Sequence, residues 1–453
     1  MGHGRILVYG LGVSGLATTT RLLAEGAEVV AVDDDRGEGP RRAAAALGVE
    51  LVAAPDRAAL AALARTVDEI VVSPGMPPRH PVFALGTATP LIGEVELAWR
   101  RARCPVVAVT GTNGKTTVTT LACAMLAASG RAAVAAGNIG VPLLDAVAGD
   151  AEVIVAEVSS FQLALTSSFR PAVGAWLNFS DDHLDWHATV GDYRTAKARL
   201  WANSGPGDVA VVNAEDPVVV AESALPRARG ATVTTFGLRT GDFTRRAGEL
   251  VGPGGPIVEV GELARSMPHD QVDALCAAAA ALAAGASPDG CRRALLAFRG
   301  LPHRVELVGE ANGVRFYDDS KATTPGAVLA ALEGFESAVL IAGGRNKGLD
   351  LSVLASASSR LRGVVAIGDA AEEVASAFAG RATVARAASM DVAVDTAVAM
   401  ARPGDAVVLS PACASFDWYG SYAERGDDFA RCVRALGTGP AGTGPGRAGR
   451  RAP

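Results

Sequence analysis

Apolar residues along this chain come in short unbroken runs, each closed by a turn and followed by a longer alanine-rich stretch. Arg5–Tyr9 (RILVY) meets Gly10 and gives way to a helical pattern from Ser14; Glu28–Val32 (EVVAV) and Glu69–Val72 (EIVV) are further runs of the same kind. Strands that are apolar nearly throughout, rather than alternating, belong in parallel sheets covered on both faces. A second block opens at Pro105–Val109 (PVVAV) and continues through Val153–Ala156, Val173–Leu177 and Asp208–Val212. A third starts near Leu301 and holds Ala338–Ile341, Val364–Ile367 and Ala406–Leu409. Strand and helix alternating in this way predict an α/β fold of three consecutive domains, at residues 1–93, 94–300 and 301–437. The remainder from Thr438, TGPAGTGPGRAGRRAP, is rich in Gly, Pro and Arg and is expected to be a disordered tail over 438–453.

Length agrees, since 453 residues suffice for about three domains. With 49% apolar and 20% charged residues the chain can bury large cores. A net charge of −6 and no basic stripe argue against a nucleic-acid partner. The opening MGHGRILVYGLG is a strand broken by glycines, not a signal peptide. No charge-free apolar run reaches the ~18 residues of a membrane span, and the longest candidate, Ala274–Ala284, reads as a buried helix. Six widely spaced cysteines without a C-x-x-C pair fit a reduced, cytoplasmic protein.

Two glycine loops carry the candidate chemistry. Gly10-Leu-Gly12-Val-Ser-Gly15 fits G-x-G-x-x-G between a strand and a helix, where unpaired N–H groups suit a pyrophosphate. Asp33, nineteen residues past Ser14, could accept from a ribose hydroxyl. NAD is the obvious ligand, but any nucleotide diphosphate presents the same groups. The second loop, Thr110–Thr117 (TGTNGKTT), departs from the usual G-x-x-x-x-G-K-[ST] spacing, because Gly111 precedes Gly114 by only three positions. It still follows an apolar strand and opens a long helix. Gly111, Thr112, Asn113, Gly114 and Thr117 are expected to line an ATP triphosphate, with Lys115 as a point charge and the Thr116 hydroxyl on Mg²⁺. A dehydrogenase needs only the first loop, and a simple ATPase only the second.

The motifs in order are GLGVSG at Gly10, SPGMPP at Ser73, TGTNGKTT at Thr110, GNIG at Gly137, EVSSFQL at Glu157, DDHLDWH at Asp181, YRTAKAR at Tyr193, LPHR at Leu301, DDSKATT at Asp318 and SPACASFD at Ser410. This series resembles the Mur ligase family over nearly the whole folded chain. The resemblance implies a Rossmann-like N-terminal domain for a UDP-sugar, a central P-loop-type ATPase and a Rossmann-like C-terminal domain for an amino acid. It also resolves the first loop in favour of UDP. A DNPR-type motif, found in the diaminopimelate- or lysine-adding branch, is missing. Asn113 stands where the alanine-adding branch has histidine, and folylpolyglutamate synthases lack the N-terminal unit. These absences favour adding D-glutamate to UDP-N-acetylmuramoyl-L-alanine in peptidoglycan precursor synthesis. The alternative is the L-alanine- or diaminopimelate-adding activity. A monomeric enzyme without membrane insertion is expected.

By resemblance, Lys115, Glu157, His183 and Lys197 carry catalysis, with Thr116, Glu157, His183 and a carbamylated Lys197 around Mg²⁺. Arg304, Asp319 and Lys321 join the ATP site. Ser14, Asp33 and Ser73 surround the uridine diphosphate, while Asn138, Ser159, Gln162 and His183 line the cleft for the reacting carboxylate. Thr323, Lys347, Ser415 and Tyr422 fall where D-glutamate is held. His187 is assigned no role, and a zinc reading of the His183/His187 pair lacks a third ligand. His269-Asp270-Gln-Val-Asp273 replaces the H-N-x-x-N of many relatives, which puts adenine contacts there in question.

Overall fold

The structure is a computed structural model and describes residues 4–87 and 89–437; the 438–453 tail lies outside the described residues. The chain packs as two compact units, one of residues up to 266 with 270–298, the other of 267–269 with those from 299 onward.

The first unit opens with a parallel sheet of β1 (Arg5–Tyr9), β2 (Glu28–Asp33), β3 (Glu50–Ala53), β4 (Glu69–Val72) and β5 (Leu91–Gly93), ordered β3-β2-β1-β4-β5. The chain winds outward from β1 to β3 and returns on the other side at β4. The loops leaving the carboxyl ends of β1 and β4 therefore part from each other, which is where an open α/β sheet leaves its ligand crevice. Gly15 lets the helix Val13–Ala24 press against the first loop, since a Cβ there would lie 1.7 Å from the Gly10 carbonyl oxygen.

The same unit holds a six-stranded parallel sheet: β6 (Val106–Thr110), β7 (Ala133–Gly137), β8 (Val153–Glu157), β9 (Val173–Trp176), β10 (Val209–Asn213) and β11 (Thr232–Phe236), ordered β11-β10-β9-β6-β8-β7. Successive residues of β6 serve opposite faces. Val107 and Val109 pack with Leu121 and Met125 of the helix Lys115–Ala128, whereas Val106 and Ala108 join Trp176, Leu200 and Trp201. The alanine-rich segment reads correctly as a buried helix, Pro268–Ala283, with Ala274–Ala281 in the first of those cores. A small antiparallel sheet of β12 (Thr244–Arg246), β13 (Glu249–Gly252) and β14 (Gly255–Glu259) follows β11.

The second unit is built on β15 (Glu306–Ala311), β16 (Val314–Asp318), β17 (Ala338–Gly343), β18 (Leu361–Ile367), β19 (Val384–Arg386) and β20 (Ala406–Ala412), ordered β15-β16-β20-β17-β18-β19. Only β15 runs antiparallel. Every residue of β17 and β20 is buried. Because β16, β20 and β17 are parallel neighbours, the segments after Asp318, Ala412 and Gly343 leave the same sheet edge side by side.

Candidate active site

Around the first crevice, Ser14 and Ser73 line one small pocket with Gly15, Thr18, Val71 and Glu94. The Ser73 hydroxyl donates to the Gly10 carbonyl at 3.0 Å, tying the β4 loop to the β1 loop. Burial pushes the Glu94 carboxyl up to about 7, and its Oε1 accepts from the Leu144 N–H at 2.7 Å. Asp33 serves the fold directly: Oδ2 accepts from the Leu11 N–H at 2.7 Å and Oδ1 from the Asp35 N–H at 2.9 Å. It braces the glycine loop, and it is not among the residues lining that pocket.

In the central sheet, β6, β8 and β9 are neighbours, so the loops after Thr110, Glu157 and Trp176 meet at one carboxyl edge. Gly114, at φ +81°, is the N-cap of the helix Lys115–Ala128 and brings no side chain to the helix start. Such a terminus presents backbone N–H groups and a partial positive charge to an anion. A Cβ on Gly114 would also fall 2.5 Å from Asp273 Oδ1 and 2.7 Å from Leu177 Cδ2, so the turn admits glycine alone. Asn178, which the sequence reading passed over, clamps the loop: its Oδ1 accepts from the N–H groups of Thr112 at 3.0 Å and Asn113 at 2.9 Å. The buried Thr112 hydroxyl is likewise taken up inside, within hydrogen-bond reach of Ser180 and of the Tyr193 hydroxyl at 3.1 Å. Thr117 is buried as well. Thr112 and Thr117 therefore shape the loop, while Gly114, Lys115 and Thr116 form the helix start.

The Lys115 ammonium donates to the carbonyls of Gly111 at 3.0 Å and Thr112 at 2.9 Å. Lys197 comes to the same spot from the helix Val190–Ala198, donating to the Gly111 carbonyl at 2.7 Å. It is 1% exposed, with Nζ 4.8 Å from the centre of the Tyr193 ring. Burial, aided by the Lys115 charge, pushes the Lys197 amine well below the ordinary lysine range, against the opposing pull of Asp182 and Glu157. Glu157, the last residue of β8, is buried; Oε1 accepts from the Asn138 amide at 2.8 Å, and Oε2 is enclosed with no hydrogen-bond partner. Such an orphaned carboxylate oxygen is expensive unless a cation meets it. Asn138 thus supports Glu157.

His183 adopts a left-handed backbone at φ +57°, with its ring edge-on to Phe161 at 4.7 Å and Nε2 3.3 Å from Asp182 Oδ2. Phe161 also stacks on Trp186 at 4.5 Å and touches His187. His187 is buried, bonded to the Ser160 hydroxyl at 3.0 Å and lowered by burial to about 4, so it is a neutral packing residue. Ser159 and Gln162 form a capping box: the Gln162 N–H donates to Ser159 Oγ at 3.2 Å, and Gln162 Oε1 accepts from the Ser159 N–H at 2.9 Å. Their side chains start the short helix that carries Phe161, a signal present in the S-x-x-Q spacing. Asp270, one of the two altered positions, pairs with Arg265 at 3.0 Å.

In the second unit, Arg304 sits between two left-handed residues, His303 at φ +59° and Val305 at +46°. A β-branched residue rarely adopts that conformation, so surrounding bonds must hold it. His303 Nδ1 lies 2.7 Å from Asp318 Oδ2, its N–H donates to Glu306 at 3.0 Å, and the Val305 N–H donates to Asp319 Oδ1 at 3.3 Å. Burial raises the Asp319 carboxyl to about 7, and Ser410 donates to it at 2.7 Å. Asp319 therefore fixes the Arg304 turn from within. Lys321 lies over the Tyr422 ring at 5.1 Å. The turns carrying Lys347 and Ser415 are stitched together by the Arg345/Ala414 backbone pair, at 2.9 and 3.0 Å. Arg425, which the sequence reading also missed, is 1% exposed and donates to the carbonyls of Ser320, Cys413 and Ala414 and to the Ser320 hydroxyl. It joins the DDSK and SPACAS turns, so Thr323, Lys347, Ser415 and Tyr422 stand on one braced edge.

All six cysteines are free thiols, and no described helix is long and apolar enough to cross a membrane.

Compared with known proteins, residues 4–90 match the Mur ligase MurD-like N-terminal domain, 109–251 the Mur ligase middle domain, and 303–413 the Mur ligase glutamate ligase domain. A Frankia casuarinae protein named UDP-N-acetylmuramoylalanine–D-glutamate ligase is 45% identical, covering 95% of this chain and 94% of the relative. One of the same name from Pelotomaculum thermopropionicum is 42% identical, covering 96% and 98%. The solved structure of a pseudomurein peptide ligase type C from Methanothermus fervidus aligns over 96% of this chain and all of its own, with TM-score 0.61 at 18% identity, a likeness of fold. With all three domains matched and relatives of 42–45% identity spanning nearly its whole length, the chain belongs to the Mur ligase family.

Proposed function

We infer that this chain is an ATP-dependent ligase that joins D-glutamate to UDP-N-acetylmuramoyl-L-alanine, forming ADP and phosphate, in peptidoglycan precursor synthesis. The near-full-length relatives bear that activity in their names. The observation that carries the chemistry is the meeting of Lys115 and Lys197 at the Gly111 carbonyl, at the start of an uncapped helix.

A carboxylate cannot lose oxide, so amide formation needs an activated oxygen. One carboxylate oxygen of the nucleotide-sugar substrate attacks the γ-phosphorus of ATP, and ADP leaves with the bridging electrons. The amine of D-glutamate then adds to the acyl carbon, the tetrahedral intermediate collapses, and phosphate departs with that oxygen. The first step brings two anions together, and the residues answer with positive charge. Lys115 and the N-terminus of its helix face the phosphates. Ser14 and Ser73 hold the uridine diphosphate at the first crevice, with Asp33 supporting the loop.

Mg²⁺ suits the residues present, because the buried, partnerless Glu157 Oε2 is a hard oxygen donor enclosed in protein. Thr116, Glu157, His183 and a carbamylated Lys197 would hold it. When bound, it neutralises charge on the phosphate oxygens. The buried Lys197 environment supports carbamylation: an uncharged amine attacks CO₂, loses a proton and becomes an anionic oxygen ligand. Lys347 and Ser415 take the side-chain carboxylate of D-glutamate, beside Thr323 and Tyr422. The working division is 1–93 for the UDP-sugar, 94–300 for ATP and 301–437 for the amino acid, in a monomeric cytoplasmic enzyme.

Phosphate release is measured with UDP-N-acetylmuramoyl-L-alanine, ATP and Mg²⁺ against a panel of D-glutamate, L-alanine, L-lysine and diaminopimelate. D-Glutamate alone should drive turnover; dependence on another amino acid would move the chain to a different branch of the family.

A further inference from the structure

We propose that the loop Ser73–His80 is a strap across the nucleotide-sugar crevice, and that Trp186 is the positioning residue holding it toward the ATP site. This rests on the reading of the first crevice as the nucleotide-sugar site. The loop leaves the carboxyl end of β4, at the switch point of the first sheet, and so forms one wall of the crevice.

The strap is fixed at three places. At its start, Ser73 bonds Gly10 in the opposite wall. At its end, His80 Nδ1 accepts from the Val82 N–H at 3.2 Å, which puts the ring hydrogen on Nε2, 3.1 Å from Asp34 Oδ2. The other Asp34 oxygen accepts from the Tyr9 hydroxyl at 2.8 Å, and the Tyr9 and His80 rings meet edge to face at 5.2 Å. The loop end is thereby pinned to the last residue of β1. In its middle, the Met76 carbonyl accepts from the Trp186 indole N–H at 3.1 Å, across 110 positions of sequence. The Met76 side chain packs on the first sheet's core with Val52, Leu63 and Phe83.

Trp186 cannot swing freely. It stacks on Phe161 at 4.5 Å, and its other neighbour is the His187 ring, also at 4.5 Å. Phe161 in turn contacts His183. One aromatic cluster therefore orients His183 on the metal side and presents a hydrogen-bond donor to the strap on the sugar side. The substrate's reacting carboxylate is far along the molecule from its uridine, and this link sets the spacing between the two ends of its site.

The test uses Trp186→Phe, which keeps the ring stack and removes the donor, together with His80→Gln and the double variant in the full-length protein. Calorimetry measures binding of UDP-N-acetylmuramoyl-L-alanine and, separately, of a non-hydrolysable ATP analogue; amide hydrogen exchange is followed across 74–82 in the ligand-free protein. Trp186→Phe should weaken nucleotide-sugar binding roughly 3- to 10-fold, the range of one lost hydrogen bond, leave the ATP analogue unchanged and speed exchange in the strap. Because both side chains restrain one loop, the double variant should lose less than the product of the single losses. Equal nucleotide-sugar affinity and unchanged exchange in Trp186→Phe would overturn the strap alone. Parallel weakening of both ligands would reduce Trp186 to general packing and also overturn it. Wild-type protein that does not bind the nucleotide sugar at all would instead overturn the functional reading beneath it.

Discussion

Lys115 and Lys197 donate to a single acceptor, the Gly111 carbonyl oxygen, at 3.0 and 2.7 Å. Two cations so close in a buried place repel each other, and the more deeply buried one yields its proton more easily. Lys115 stands at the start of the helix Lys115–Ala128, where we propose the phosphates bind. Lys115→Ala should reduce ATP turnover by at least about a thousandfold while leaving the thermal midpoint little changed. Steady-state phosphate release together with a melting curve checks this; near-normal turnover would remove Lys115 from the reaction.

For Lys197 we propose the opposite fate. Burial lowers its amine well below the ordinary lysine range, which favours the uncharged form that takes up CO₂. Protein equilibrated with ¹³C-bicarbonate should show one carbamate carbon resonance that is absent in Lys197→Arg. That variant should also lose most activity, because a guanidinium cannot become an anionic ligand.

His187 gives a pH dependence of known sign. Its folded-state pKa of about 4 lies below the usual 6.5 of a histidine, since burial and Lys197 disfavour the imidazolium. The unfolded chain thus binds more protons between those values, so stability is fully present above pH 6.5 and is lost as pH falls toward 4. Denaturant midpoints measured across that interval should fall less steeply for His187→Gln than for wild type.

Arg425 holds its two turns by bonds to three buried carbonyls. Arg425→Met leaves those acceptors without their donor and should destabilise the protein by about 2–4 kcal/mol, with a raised KM for D-glutamate. Lys347→Ala removes a charge at the proposed amino-acid end. It should raise that KM roughly 10- to 100-fold with the KM for ATP unchanged. Initial-rate kinetics in both substrates separate the two.

Much of this architecture was legible from apolar patterning. Uninterrupted runs such as Val153–Ala156 are unmistakable because parallel strands bury both faces. β7 (AVAAG) and β11 (TVTTF) escaped, one alanine-rich like a helix and the other threonine-rich like an exposed segment. The β15–β16 hairpin also escaped, although Asn312 at φ +53° and Gly313 at +75° make the Asn-Gly turn that such a hairpin prefers. At the site, motif order pointed to the loops but not to the hydrogen bonds made within them. Asp33, Asn138, Ser159, Gln162 and Asp319 read as candidate ligand contacts, and in the fold their polar atoms brace loops or neighbouring side chains. Asn178, Trp186 and Arg425 act by contacts distant in sequence, so no local spacing announces them.

The central claim is that ATP is used to turn the substrate's own carboxylate into a leaving group. It is tested most directly with UDP-N-acetylmuramoyl-L-alanine labelled with ¹⁸O in that carboxylate, turned over with ATP and D-glutamate. Mass analysis of the released phosphate should find one labelled oxygen per phosphate formed, the oxygen that bridged carbon and phosphorus. Phosphate released at the normal rate without label would contradict the account.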